Sequence, residues 1–215
     1  MDQLLTTYLD ELLAGLWMTV RLTAVAFFGS LVVGTAVAAC RVSPIVPLRA
    51  VGRLYVDLFV NIPLISLLVV VTFGLPDIGI TLDLFSCAAL SMILLGGAFT
   101  CEAIRTGVNA VSVGQVEAAR SIGLDFFGVL RFVLFPQAFR SVIQPIVNVF
   151  IGILLSSSLA GVIGVKDLTL QVSEINNEAA LGLTTYLLAA VAYVVISLLA
   201  GGLGARLEER LRVQR

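Results

Sequence analysis

Charged residues divide this chain into long apolar blocks. Five stretches, Leu22–Cys40, Leu58–Pro76, Leu84–Cys101, Ser141–Val165 and Ala179–Ala205, run without a single Asp, Glu, Lys or Arg. Each has about 18 residues or more, and at about 1.5 Å of helical rise per residue each can cross a hydrocarbon core of about 30 Å. The pattern predicts an all-α polytopic membrane protein with five transmembrane helices, at about 12–40, 55–76, 84–104, 140–165 and 179–205. Together they form a single membrane domain over residues 1–215.

The segments between the blocks are unequal. A short turn after the second block predicts an antiparallel hairpin with the third. The stretch from Glu102 to Arg140 is far longer and needs structure of its own. Within it, Ser112-Val113-Gly114-Gln115 has the form of a capping box, in which hydroxyl and amide satisfy free backbone N–H groups. A helix should begin near Val113, carry Glu117 in its first turns, where the dipole favours negative charge, and stop at Gly123. A second short helix is expected from Asp125 through Phe126, Phe127, Leu130, Val133 and Leu134, until Pro136 interrupts it.

Composition agrees with the pattern. The chain of 215 residues is 59% hydrophobic and 13% charged, against about a quarter charged in soluble domains. Its mean hydropathy is +1.07. It has no His, which removes His-based metal sites and a His general base. Cys40, Cys87 and Cys101 lack CxxC spacing and read as small packing residues. A net charge of −1 with no basic stripe gives no sign of nucleic-acid binding.

The distribution of charge is more informative than its sum. Of thirteen basic residues, Arg41, Arg49, Arg53, Arg105, Arg120, Arg131, Arg140, Arg206, Arg210, Arg212 and Arg215 all fall in alternate segments, which the positive-inside rule places in the cytoplasm. The N-terminus, with Asp2, Asp10 and Glu11, is then outside and the C-terminus inside. No cleaved signal peptide is expected, because no basic n-region precedes the first block. The external loops collect Asp77 and Asp83, then Asp167, Glu174 and Glu178.

Several residues inside the apolar blocks are candidates for a solute path. Arg21 is a costly charge in the membrane, able either to meet a carboxylate or to snorkel to headgroups. Asn61 stands beside Pro63, which bends the second span for a path or for packing. Ser156, Ser157 and Ser158 are too many in succession for all to face lipid. Glu102 and Arg105, three apart, read as an interfacial ion pair.

Glu117-Ala118-Ala119, then Gly123, then nine residues to Val133-Leu134-Phe135-Pro136, resemble the EAA signature of ABC importer permeases, with Val133 and Phe135 for the usual Ile and Leu. Ala98-Phe99-Thr100-Cys101-Glu102-Ala103-Ile104-Arg105, Pro136-Gln137-Ala138 and Ser158-Leu159-Ala160-Gly161-Val162-Ile163-Gly164-Val165 are similar to polar-amino-acid permeases of the histidine, glutamine and glutamate group. Arg41-Val42-Ser43-Pro44 is similar to the glutamate type. The chain departs from the group at Val60-Asn61-Ile62-Pro63 and Leu155-Ser156-Ser157-Ser158, where relatives often carry Arg and Lys.

The resemblance implies a type I importer in a bacterial inner membrane. Two permease subunits, homologous or identical, would work with two ATP-binding subunits and an external substrate-binding protein, and the solute would be a polar amino acid, possibly glutamate. The region 112–136 would be a cytoplasmic coupling segment, with Glu117, Ala118, Ala119, Arg120 and Gly123 fitting a groove on the ATPase. ATP and Mg would bind that partner, leaving no cofactor and no catalytic residue here: the single Lys, Lys166, stands in no Gly-x-x-x-x-Gly-Lys loop. An ATP-independent secondary transporter and a structural membrane subunit are the alternatives. The first should show repeats and an intramembrane carboxylate.

Overall fold

The computed structural model describes residues 7–180 and 182–211, and among them every regular element is a helix. The elements are α1 (Leu9–Val42), α2 (Val46–Asn61), α3 (Leu64–Asp77), α4 (Leu84–Asn109), α5 (Val113–Ser121), α6 (Phe126–Val129), α7 (Phe135–Ser156), α8 (Leu168–Ala179) and α9 (Leu183–Leu211). Four spans are long and apolar enough to cross a membrane unaided: α1, α4, α7 with its tighter 3-10 continuation Ser157–Ile163, and α9. In hydrocarbon a helix is the only open-ended way to satisfy every backbone N–H and C=O, which is why these runs take that form.

The expected second span, 55–76, is broken in the structure, and counts as a fifth crossing only as a bent pair of helices. Residues 55–61 belong to α2, and α2 and α3 meet at a bend of 104°. Pro63 causes the break by driving Ile62 into extended backbone, with φ −91° and ψ 126°. The Asn61 side-chain amide turns back on its own helix and donates to the Asp57 carbonyl at 2.7 Å. Alone, α3 reaches only about 21 Å, short of a crossing.

Prolines elsewhere are absorbed rather than obeyed. The expectation that Pro136 interrupts the second short helix is corrected: α6 passes through a wide π turn, Leu130–Leu134, into α7, whose first turn holds Pro136. The same device, Val70–Gly74, precedes Pro76 in α3. A wider turn relieves the clash between a proline ring and the carbonyl four residues back.

Packing of α1 on α4 centres the fold. Ser30 and Gly34, four apart on α1, face Gly96 and Gly97 on α4. A β-carbon on Gly34 would lie 2.7 Å from the Gly97 carbonyl oxygen, so the backbones touch as small residues permit in membranes. The Tyr55 hydroxyl of α2 donates to the Leu94 carbonyl at 2.6 Å. Leu22, Leu68, Met92 and Ile153 form the main buried cluster, and Leu12, Leu154, Val172 and Tyr193 a second one under α8.

The segment expected as an external acidic loop is instead mostly helix α8. Asp167 caps it, accepting from the Leu170 N–H at 2.9 Å, and Leu168, Val172 and Ile175 line its buried face. One end of the bundle therefore gathers the start of α1, the 78–83 turn and α8, with Gly15 against Gln171 and Gly164 against Leu84. The other end carries Arg41, α5 and the last turns of α9. Asp2, Arg212 and Arg215 lie outside the described residues.

Candidate functional site

At that second end, α5 is a short helix set between two apolar spans. Ser112 stands at its N-cap with extended backbone, φ −69° and ψ 140°, but its hydroxyl caps nothing and the expected capping box does not form. The Gln115 N–H instead bonds to the Ser112 carbonyl at 3.1 Å, and the Gln115 side-chain oxygen is buried without a partner among the described residues. The expected stop is present. Gly123 has φ +89°, its N–H reaches the Arg120 carbonyl at 2.9 Å, and the Leu124 N–H reaches back to Ala119 at 3.2 Å.

This geometry turns the signature outward. Glu117, Ala118, Arg120 and Gly123 are exposed, while Ala119 alone is buried and seats the helix. Val113, at the first position of the helix, is 72% exposed and Ile122, at its C-cap, 80%. Neither Glu117 nor Arg120 forms an ion pair among the described residues.

The membrane candidates separate. Arg21 is exposed on α1 near the α8 end, its guanidinium 4.4 Å above the Phe85 ring, a cation–π contact. Asn61 is exposed at the α2–α3 bend. Ser157 is fully buried and donates to the Leu154 carbonyl at 2.7 Å; Ser158 donates to Leu155 at 2.7 Å. Of the three serines, Ser156 lines the cavity between α4 and α7, and Ser157 and Ser158 do not.

That cavity, about 460 Å³, lies between α4 and α7 beneath Leu64 of α3. Its wall is apolar, with Met92, Phe99 and Ile153, and is interrupted by four polar side chains: Glu102, Thr106, Asn148 and Ser156. Pro145 also lines it, and lacks the N–H that would hold the Ser141 carbonyl. Sequence reasoning missed Asn148, although it is one of two side-chain amides, with Gln144, in the charge-free run Ser141–Val165. It found Glu102 and Arg105, whose Oε2 and Nε are 3.2 Å apart, but not Arg41, which pairs with Glu102 from α1. Arg21, Asn61, Ser157 and Ser158 are not brought to this cavity.

A second buried polar group sits at the other end. The Asp167 carboxylate is fully buried, and Tyr193 of α9 donates to it at 3.2 Å. Burial pushes this carboxyl above its ordinary range, while the Leu170 N–H and Tyr193 hydroxyl pull the other way. The Thr19 hydroxyl of α1 accepts the Leu168 N–H at 3.0 Å, so α8 is tied to both neighbours.

Residues 30–213 match the family described as the inner membrane component of binding-protein-dependent transport systems. The glutamate transport system permease protein GluC of Corynebacterium efficiens is 36% identical over 95% of this chain and 96% of its own. The probable glutamine ABC transporter permease protein GlnM of Bacillus subtilis is 36% identical over 86% of this chain and 85% of its own. Among solved structures, that of an amino acid ABC transporter with histidines aligns at a TM-score of 0.90 and 30% identity, covering 96% of each chain. The MetNI methionine ABC transporter, at 0.74 and 21%, shares the fold. The chain therefore belongs to the family of inner membrane components of binding-protein-dependent transport systems, multi-pass permeases whose partners are an ATPase and a substrate-binding protein.

Proposed function

We propose that the chain is the permease subunit of an ATP-driven importer of polar amino acids in a bacterial inner membrane. It forms half of the translocation path beside a second permease subunit, identical or homologous. The observation that carries the reading is α5, a helix held by Ala119 and ended by Gly123 that presents Glu117, Ala118 and Arg120 away from its own bundle. Such a knob suits a groove on an ATPase, one of two, which also holds ATP and Mg²⁺.

Orientation follows from charge. Nine of the eleven basic residues named above are described, from Arg41 to Arg210, in the segments that join or follow the spans at the α5 end, and that end is cytoplasmic. The α8 end then faces the substrate-binding protein. The cavity between α4 and α7 is this subunit's share of the path.

The test is reconstitution of the chain in proteoliposomes with its ATPase, its partner permease and its binding protein. Loaded binding protein should stimulate ATP hydrolysis and drive amino-acid uptake. Uptake that proceeds without ATP, or hydrolysis indifferent to the loaded binding protein, would overturn the reading.

A further inference from the structure

We infer that the groove between the first turns of α1 and those of α9, floored by Leu168 of α8, holds one acyl chain of a phospholipid with an ammonium headgroup. The groove has a volume of about 360 Å³, and its ten lining side chains among the described residues are all aliphatic. Leu13 of α1 and Val191 and Val195 of α9 line it and are exposed. It therefore opens outward from two helices that are long and apolar enough to cross a membrane.

Size and chemistry separate the occupants. Water gains nothing there, because an apolar cavity offers it no hydrogen-bond partner. A second helix is too thick: seven helical residues, about 10 Å across with a rise of about 1.5 Å each, take roughly 800 Å³. An acyl chain has the right length. Leu9 to Leu16 on α1 and Leu188 to Ile196 on α9 each run about 10–12 Å, within the roughly 15 Å of hydrocarbon that one leaflet contributes to a core of about 30 Å. A slender chain can enter because α1 and α9 are each packed on α8 rather than closely on one another, and it restores the dispersion contacts that a void forfeits.

Charge at the mouth chooses the headgroup. Asp10 and Glu11 are exposed in the first turn of α1, between the lining residues Leu9 and Leu12, and form no ion pair among the described residues. The cations nearby are engaged: Lys166 pairs with Glu174 at 3.0 Å, and Arg21 lies over Phe85. Two carboxylates attract an ammonium and repel a headgroup that is only anionic. The groove is also distinct from the solute cavity. Leu154 of α7 belongs to the buried cluster that includes Leu12 and Leu168, whereas Ile153 and Ser156 line the cavity between α4 and α7.

The experiment reconstitutes the permease–ATPase complex in vesicles of equal parts phosphatidylethanolamine and phosphatidylglycerol, with a trace of one or the other carrying a diazirine on an acyl chain. After illumination, labelled residues are mapped by mass spectrometry. The phosphatidylethanolamine probe should label Leu9–Leu16 and Leu188–Ile196 at least fivefold more than the exposed Leu198, Leu199 and Leu203 of α9, and at least threefold more than the phosphatidylglycerol probe does. Ala192→Phe fills the groove and should remove the excess, while Val194→Phe, at an exposed position outside the lining, should keep it. Asp10→Lys combined with Glu11→Lys, both on the surface, should reverse the headgroup preference. Even labelling of all exposed faces, an excess that survives Ala192→Phe, or a preference unmoved by the two lysines would overturn the inference. So would a disulfide from Leu13→Cys to the second permease subunit formed in place of lipid label, since a partner helix would then cover the groove. None of these readouts requires uptake, so they succeed or fail independently of the transport reading.

Discussion

Arg41, in the last turn of α1, places its guanidinium on the carboxylate of Glu102, 61 residues away on α4. The arginine side chain is only 13% exposed and the glutamate 34%, whereas Arg105, on the other oxygen, is 50% exposed. The two arginines should therefore differ in weight. Arg41→Ala leaves a half-buried carboxylate with one exposed partner and should cost about 1–3 kcal/mol, while Arg105→Ala should cost about 1 kcal/mol or less. Thermal unfolding of the purified chain in detergent checks the ranking, and equal losses would contradict it.

Coupling and folding can be separated at α5. Glu117→Lys changes an exposed charge with no ion-pair partner among the described residues, so its effect on stability should stay within about 0.5 kcal/mol. Gly123 has φ +89° with open space where a β-carbon would stand, so Gly123→Val is strained by backbone alone, by roughly 1–2 kcal/mol. The pair should abolish ATP-driven uptake while membrane insertion persists. Unchanged uptake in the double variant would remove α5 from the coupling path.

Two glycines give opposite expectations. At Gly34 a side chain would run into Thr100 and the Gly97 carbonyl, backbone that cannot step aside, so Gly34→Leu should cost at least about 1–3 kcal/mol and part α1 from α4. At Gly152 nothing lies within 4 Å of an added β-carbon, and Gly152→Ala should be neutral or stabilising by up to about 1 kcal/mol. Chemical denaturation in micelles compares them. A tolerated Gly34→Leu would show that the small-residue contact is not what sets the helix spacing.

The apolar blocks and the Gly123 stop were legible because each depends on local chemistry: charge-free length for a span, positive φ for a glycine. What was illegible depends on distant partners. Arg41 could not be matched to Glu102 from spacing, and the serine triplet could not be sorted, because which hydroxyl turns to the cavity depends on how α7 tightens into its 3-10 continuation. Asp167, Leu168, Val172 and Ile175 carry a cap and a periodic apolar face for α8, a signal that the acids of the same segment obscure.

Arg21 stands outside the cavity, over Phe85 and exposed. Arg21→Ala should leave amino-acid uptake within about twofold of the parent and lose about 0.5–1 kcal/mol with the cation–π contact. Uptake assays beside Arg21→Lys decide this: a strong loss with alanine that lysine partly restores would return Arg21 to the path.

Asp167 makes a prediction about pH. Its carboxyl is held above the ordinary range chiefly by burial, against bonds from the Leu170 N–H and the Tyr193 hydroxyl. Lys166, the adjacent cation, is exposed and turns to Glu174 at 3.0 Å, so it offers no compensation. Between the unfolded value of about 3.9 and the raised folded value, the folded state holds more proton than the unfolded one, so stability from this group falls as pH rises through that window. Asp167→Asn keeps a capping side chain and cannot ionise, so its unfolding temperature should lack that part of the acid-side slope. Asp167→Ala should lose about 1 kcal/mol with the cap at any pH. Parallel slopes in the parent and Asp167→Asn, measured from pH 4 upward, would show that the carboxylate pairs well enough in the fold to stay charged.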